Sequence, residues 1–208
     1  IFSFYNNHRI LPIYNKNLLF KETSLFFDWY VPRVINKKKI FYLNKNLKKK
    51  INFLLSKIKF LNNTFVHRDF HVSNLMINKN HIAVIDSQDA LIGNKAYDLA
   101  SLIDDVRLKT SNKIKKLIYN YYLSLCKKKF NKKDFKNDFE ILSVLRNLKI
   151  IGIFTRLAIR DKKKNYLKLI PYAWSLIEFR LKNNIIFKDL KNCLNDNFSK
   201  KIRKKNEN

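Results

Sequence analysis

Val66-His67-Arg68-Asp69-Phe70-His71-Val72-Ser73-Asn74-Leu75-Met76-Ile77, followed by Ile85-Asp86-Ser87-Gln88-Asp89-Ala90, is the stretch that decides the fold. Asn78-Lys79-Asn80 has turn composition, and the apolar runs Leu75-Met76-Ile77 and Ile82-Ala83-Val84-Ile85 flank it. That pattern predicts a small β-hairpin whose second strand delivers Asp86 at its end. Thr64-Phe65-Val66 reads as a further short extended run, and His67 to Asn74 as a polar loop. Polar groups gathered on a loop beside a rigid element mark a place where chemistry concentrates.

Asp69 and Asn74, five residues apart around that loop, can face one centre, and Asp86 can meet them from the hairpin. Two carboxylates and an amide are hard oxygen donors. They suit Mg²⁺ that keeps part of its water, and the absence of soft ligands argues against zinc. A carboxylate beside such an ion can orient or deprotonate a hydroxyl. The plainer reading makes the same three residues turn and cap residues. Turn chemistry, however, does not require three such groups to converge.

Outward from this cluster the chain reads as helical. Leu18, Leu19, Leu25, Phe26, Trp29 and Tyr30 recur at helical steps from Asn17 and predict an amphipathic helix ending near Pro32. A second helix carries Ile51, Leu54, Leu55, Ile58 and Leu61 on one face and closes at Asn62-Asn63. Residues 1–15 read as irregular. After Gly93, helices are expected over Ala96–Lys109, Asn112–Lys129, Asp134–Leu148, Ile150–Lys162, Asn165–Asn183 and Phe187–Asn195. Ser199–Asn208 reads as a basic disordered tail, leaving 1–198 as one domain with the catalytic loop and hairpin at 64–92. The fold class expected is α+β, mostly helical.

Composition narrows the options. The 208 residues hold 44 Lys plus Arg against 16 Asp plus Glu, a net charge of +28, yet only 2 Gly, the first at Gly93. A glycine-rich phosphate loop is therefore excluded from the first 92 positions. Cys126 and Cys193 form no C-x-x-C pair, which argues against a zinc or disulfide framework and suits a reducing cytoplasm. No apolar run nears the roughly 18–20 residues of a membrane span, and no leading segment has signal-peptide character. The surplus charge admits a polyanion partner or compositional drift toward Lys, Asn, Ile, Phe and Tyr. The basic runs Lys37–Lys39, Lys48–Lys50, Lys127–Lys129 and Lys162–Lys164 are scattered, so nucleic acid is not the expected partner.

The run His67-x-Asp69-x-His71-x-x-Asn74 with Ile85-Asp86 resembles the aminoglycoside phosphotransferase and choline kinase superfamily, which has a protein-kinase-like fold. The resemblance implies ATP as phosphoryl donor, Mg²⁺ as cofactor and a small-molecule hydroxyl as acceptor. It implies Asp69 as catalytic base, with Asn74 and Asp86 holding the metal against the nucleotide phosphates and Asp89 as a further metal ligand. His67, Arg68, His71 and Asp98 would support the catalytic loop, a phosphate or substrate contact remaining open for His71. Asp28-Trp29-Tyr30, His67-Arg68-Asp69-Phe70-His71 and Tyr97-Asp98-Leu99-Ala100-Ser101-Leu102 are more closely similar to bacterial cell-wall sugar kinases. These phosphorylate the anomeric hydroxyl of N-acetylmuramate and N-acetylglucosamine. Ser87 departs from the aromatic residue that family usually places after the metal Asp. Trp29, Tyr30 and Arg33 are read as helix core and surface before a sugar platform.

A kinase of this fold has a nucleotide lobe ahead of its catalytic loop. Only 66 residues precede His67, they contain no Gly, and they read as two helices. The expectation is therefore a C-terminal lobe only, the nucleotide lobe absent, the missing N-terminal lobe of the same gene product its partner, and little turnover by this chain alone. The resemblance covers residues 10–105 well and the remainder in outline. Within the superfamily, a +28 protein favours an anionic amino-sugar over a polycationic aminoglycoside, moderated by local acidity from Asp86, Asp89, Asp98, Asp104 and Asp105. Aminoglycoside or choline-type transfer, and a degenerate lobe acting as a basic binding module, are the alternatives.

Overall fold

A computed structural model describes residues 11–79, 81–126, 130–182 and 184–204. The chain divides into two compact units: Lys59–Phe139 with the described residues up to Asn15, and Lys16–Ile58 with Glu140–Asn208. The fold is α+β and mostly helical, with small sheets, as a kinase-like domain would have.

The first unit carries the expected hairpin. β2 (Leu75–Asn78) and β3 (His81–Val84) pair antiparallel with Leu75 opposite Val84. β1 (Thr64–Val66) pairs antiparallel with β4 (Leu91–Gly93), a strand the sequence reading did not anticipate. Its three residues are too few to show an alternation. The segment read as irregular joins this sheet: Ile92 donates its N–H to Pro12 O at 3.0 Å, and Tyr14 donates to Ile92 O at 2.8 Å. Gly93 makes room for this, because a Cβ there would press on Val66 Cγ2 at 2.9 Å and Tyr14 Cβ at 3.2 Å.

α4 (Tyr97–Ile103) and α5 (Asn112–Leu125) follow, and the leading end of α6 (Lys132–Arg160) completes this unit. Asp138 on α6 is fully buried. It accepts the N–H groups of Lys59 and Phe60 at 2.8 Å each and the Asn94 amide at 2.8 Å.

The second unit holds α1 (Lys16–Thr23), a π-helical turn at Phe26–Tyr30, α2 (Val31–Val34) and α3 (Lys37–Ser56). The single helix expected up to Pro32 is thus three pieces. Pro32 lies inside the first turn of α2, where its missing N–H costs nothing. Gly152 on α6 explains the distortion: a Cβ there would collide with the Leu25 carbonyl and the Phe26 nitrogen, so backbone packs directly on backbone. α3 starts at an Asn36 cap that accepts Lys38 N–H at 3.0 Å, and it ends before Ile58 and Leu61, which were expected on its face.

α6 is one helix of 29 residues instead of the expected two. No proline interrupts it, and the single glycine within it serves the contact with Leu25. α7 (Ile170–Leu181) and α8 (Lys188–Asn197) are each led in by a 3-10 turn. The expected disordered tail is corrected over Lys200–Lys204, which forms α9. Arg203 there is buried, donating to Glu178 at 2.6 Å, Leu194 O at 2.7 Å and Asn195 Oδ1 at 2.9 Å. An aromatic cluster of Phe26, Tyr30, Trp174 and Phe198 lies at the centre of this unit. Among the described residues, no helix is long and apolar enough to cross a membrane.

Candidate active site

The loop between β1 and β2 is fixed by a carboxylate outside it. Asp98, in the first turn of α4, accepts the N–H of His67 through Oδ2 at 2.7 Å and that of Arg68 through Oδ1 at 3.1 Å. Two successive N–H groups held by one carboxylate coincide with φ of 73° at Arg68, in the left-handed region. Such a conformation costs a residue with a Cβ about 1–2 kcal/mol and persists only where its surroundings enforce it.

The hairpin is stitched to this loop. His67 Nε2 donates to Ile85 O at 2.9 Å, which fixes the Nε2–H tautomer, and the ring is buried. Ile85 N–H donates to Asn74 O at 3.1 Å. Arg68 Nη1 donates to Asp89 O at 3.0 Å, and its guanidinium lies 5.6 Å from the Tyr14 ring centre. Asp86 follows Ile85 with φ of 70°, a second left-handed residue in the cluster. Asp tolerates that region better than most residues, because its short side chain bonds locally. Here Asp86 Oδ1 accepts from Gln88 Nε2.

Inside the loop, Asn74 closes a 3-10 turn over Val72–Asn74 and donates its side-chain amide to Asp69 O at 2.9 Å. His71 N–H donates to the same carbonyl at 3.0 Å, and the His71 side chain is buried. The Asn74 amide nitrogen is thus committed to Asp69, and its Oδ1 is the acceptor half. Among the described residues nothing donates to that oxygen, and no hydrogen bond or ion pair reaches the Asp69 carboxylate. Asp69 is half-buried, whereas Asp86 and Asp89 are exposed.

The hydrogen bonds therefore link Asp69, Asn74 and the Ile85–Asp86 step. Among the described residues, the Asp89 carboxylate is linked to none of them, while its carbonyl is held by Arg68. Among the described residues, no group of three or more His, Cys, Asp or Glu is arranged to hold a metal. The donors present still fit Mg²⁺: an amide oxygen with one or two carboxylates, the remaining positions going to water or substrate oxygens.

The expected local acidity is smaller than the composition implies. Asp104 is buried in an ion pair with Lys115 at 3.0 Å. Asp105, also buried, accepts Val72 N–H at 3.2 Å and Arg107 N–H at 3.0 Å. Asp98 is committed to the loop. Asp105 and Tyr14 are the neighbours of the loop that sequence reasoning missed. Of the Asp28-Trp29-Tyr30 motif, Tyr30 is core: its hydroxyl accepts from Trp174 Nε1 at 3.0 Å. Burial raises its pKa to about 12. His81 is exposed on β3, and His8 lies outside the described residues.

Residues 20–122, just under half of the chain and inclusive of the whole loop and hairpin, match the phosphotransferase enzyme family. The α+β, mostly helical fold is consistent with a kinase-like domain. More particularly, the chain is 32% identical over 169 residues to the N-acetylmuramate/N-acetylglucosamine kinase of Neisseria meningitidis serogroup B, covering 78% of this chain and 50% of that protein. It is 29% identical over 174 residues to the protein of the same name from Pseudomonas aeruginosa, covering 81% and 52%. The Pseudomonas putida protein of that name is 28% identical over 174 residues, covering 80% and 51%. The chain spans about half the length of these curated relatives.

One expectation is corrected by these matches. The similarity was expected to be that of a C-terminal lobe only, strong over residues 10–105 and an outline beyond. It instead extends along about four-fifths of the chain. Short polar motifs are conspicuous by eye, whereas helical stretches carry their likeness in a diffuse apolar pattern that many sequences satisfy.

Proposed function

We propose that this protein transfers the γ-phosphoryl group of ATP to a hydroxyl of an amino-sugar, of the kind named in its relatives: N-acetylmuramate or N-acetylglucosamine. The observation that carries the reading is the Asp69 carboxylate. It has no partner among the described residues, while the backbone on either side of it is clamped by Asp98 and Asn74. A carboxylate partly open to solvent on a backbone held from both sides is in position to meet a substrate hydroxyl.

Asp69 accepts the proton of the acceptor hydroxyl as its oxygen bonds to the γ-phosphorus. The bond from that phosphorus to the bridging oxygen breaks, and ADP leaves with the electron pair. Asn74 Oδ1 and the Asp86 carboxylate, with Asp89 as an additional ligand, would hold Mg²⁺. That ion would neutralise charge on the phosphate oxygens. His67 is committed through Nε2 to Ile85 and orients the loop, with Arg68, His71 and Asp98 as further supports. The free thiols of Cys126 and Cys193 suit a cytoplasmic setting for sugar recycling from the cell wall.

Incubation of the protein with Mg-ATP and N-acetylmuramate, N-acetylglucosamine, choline or kanamycin, read by mass spectrometry, tests this. Acid-labile phosphate on an N-acetylated sugar supports the reading. Phosphate only on kanamycin or choline replaces the acceptor, and no product on any of the four contradicts it.

A further inference from the structure

The loop is held at a second point that the phosphotransferase reading does not use. We propose that Asp105 is a positioning residue that sets the turn carrying Asn74, and through it the affinity of the site for Mg²⁺. The inference deepens the phosphotransferase reading and rests on it for the metal.

The geometry is that of a splint. Asp98 lies in the first turn of α4 and Asp105 lies just past its end, seven residues on in sequence. The first carboxylate takes the N–H groups of His67 and Arg68, and the second takes that of Val72. The two anchors bracket Asp69.

Val72 is the first residue of the 3-10 turn that ends at Asn74, and its N–H has no partner within that turn. Asp105 Oδ2 caps it at 3.2 Å. The other oxygen, Oδ1, accepts Arg107 N–H at 3.0 Å and faces Arg107 Nη1 at 3.5 Å, a local turn that fixes the carboxylate's orientation. The side chain is buried, so water does not compete for Val72.

Among the described residues, the hydrogen bonds of Asp105 go to Val72 and Arg107, and not to Asn74 or Asp86. Its influence passes along the turn: Val72 N–H is fixed, Asn74 N–H bonds to His71 O at 2.9 Å, and the Asn74 amide reaches Asp69 O. Loss of the cap frees the turn to rotate, and Asn74 Oδ1 loses its fixed direction. Adjacent Asp104 has a different duty, pairing with Lys115 on α5.

The test compares the wild-type protein with Asp105→Ala and Asp105→Asn by two readouts. Hydrogen exchange over residues 71–75 is followed against residues 97–103, and the Mg²⁺ concentration giving half-maximal thermal stabilisation in the presence of ATP is measured. Expected for Asp105→Ala is exchange at least ten-fold faster in 71–75 with 97–103 unchanged, and a Mg²⁺ midpoint raised at least ten-fold. Asp105→Asn, which can still accept one bond, falls between and remains folded if the alanine variant does not. Unchanged exchange in both variants overturns the proposal. So does faster exchange with an unmoved Mg²⁺ midpoint, because Asp105 is then structural only. A wild-type protein that shows no Mg²⁺ response contradicts the phosphotransferase reading and takes the metal arm of this proposal with it. The exchange data then report the anchor alone.

Discussion

The side-chain amide of Asn74 donates to the main-chain oxygen of Asp69 across 2.9 Å, so the residue that would bind the metal also fixes the backbone of the residue that would take the proton. Position and charge at the site are thereby coupled through one side chain. Asn74→Ala removes both the bond and the acceptor oxygen. The expected result is a Mg²⁺ requirement raised by about 10–100-fold or more, beyond any loss of stability, because the residue both ligates and orients. Magnesium titrations of ATP-dependent stabilisation read this directly, and an unchanged midpoint would remove Asn74 from the metal site.

Asp98 satisfies two adjacent N–H groups with two oxygens. Asp98→Ala leaves both donors unpaired, each worth about 1–3 kcal/mol when buried, so a loss of about 2–6 kcal/mol is expected. Urea denaturation measures it. Asp98→Asn keeps one acceptor and should lose roughly half as much. Equal losses in the two variants would contradict the two-bond account.

Gly152 lies where α6 meets the Leu25–Phe26 backbone. Ordinarily Gly→Ala within a helix gains about 1 kcal/mol from propensity. Here the new Cβ overlaps main-chain atoms that cannot rotate away, so Gly152→Ala should destabilise by about 1–3 kcal/mol or more. A stabilised variant in thermal unfolding would show that the contact is looser than described.

Tyr30 gives a pH signature. Its folded pKa is raised to about 12 from 10.0, mainly because burial disfavours the phenolate. Between these values the unfolded chain releases the proton and the folded protein keeps it. The stabilisation is therefore complete below pH 10 and is lost as the pH rises through 12, at up to about 1.4 kcal/mol per pH unit. Tyr30→Phe should flatten the stability curve over that window relative to wild type. Parallel curves in urea midpoints would refute the assignment.

The hairpin and its polar loop were legible because turn residues and alternating apolar runs are local signals, visible within Leu75–Ile85. What the sequence concealed was long-range. β4 pairs with β1 across the whole site, and three residues carry no period of their own. The contact of Gly152 with the Leu25–Phe26 backbone spans more than a hundred positions, and the bonds of Asp138 to Lys59 and Phe60 span 79 and 78. Arg203 reads as one more tail lysine-type charge until Glu178 and the α8 carbonyl at Leu194 receive it. Asp105 was counted as bulk acidity, because its bond to Val72 spans 33 positions and leaves no local signal.

The central claim is that Asp69 removes the proton from the acceptor hydroxyl. The measurement that tests it most directly is the steady-state rate of Asp69→Asn with Mg-ATP and N-acetylmuramate or N-acetylglucosamine. The account predicts a kcat lowered by about 10²–10⁴-fold, with Mg²⁺ stabilisation and the KM for ATP little changed. A variant that phosphorylates the sugar at the wild-type rate would contradict it.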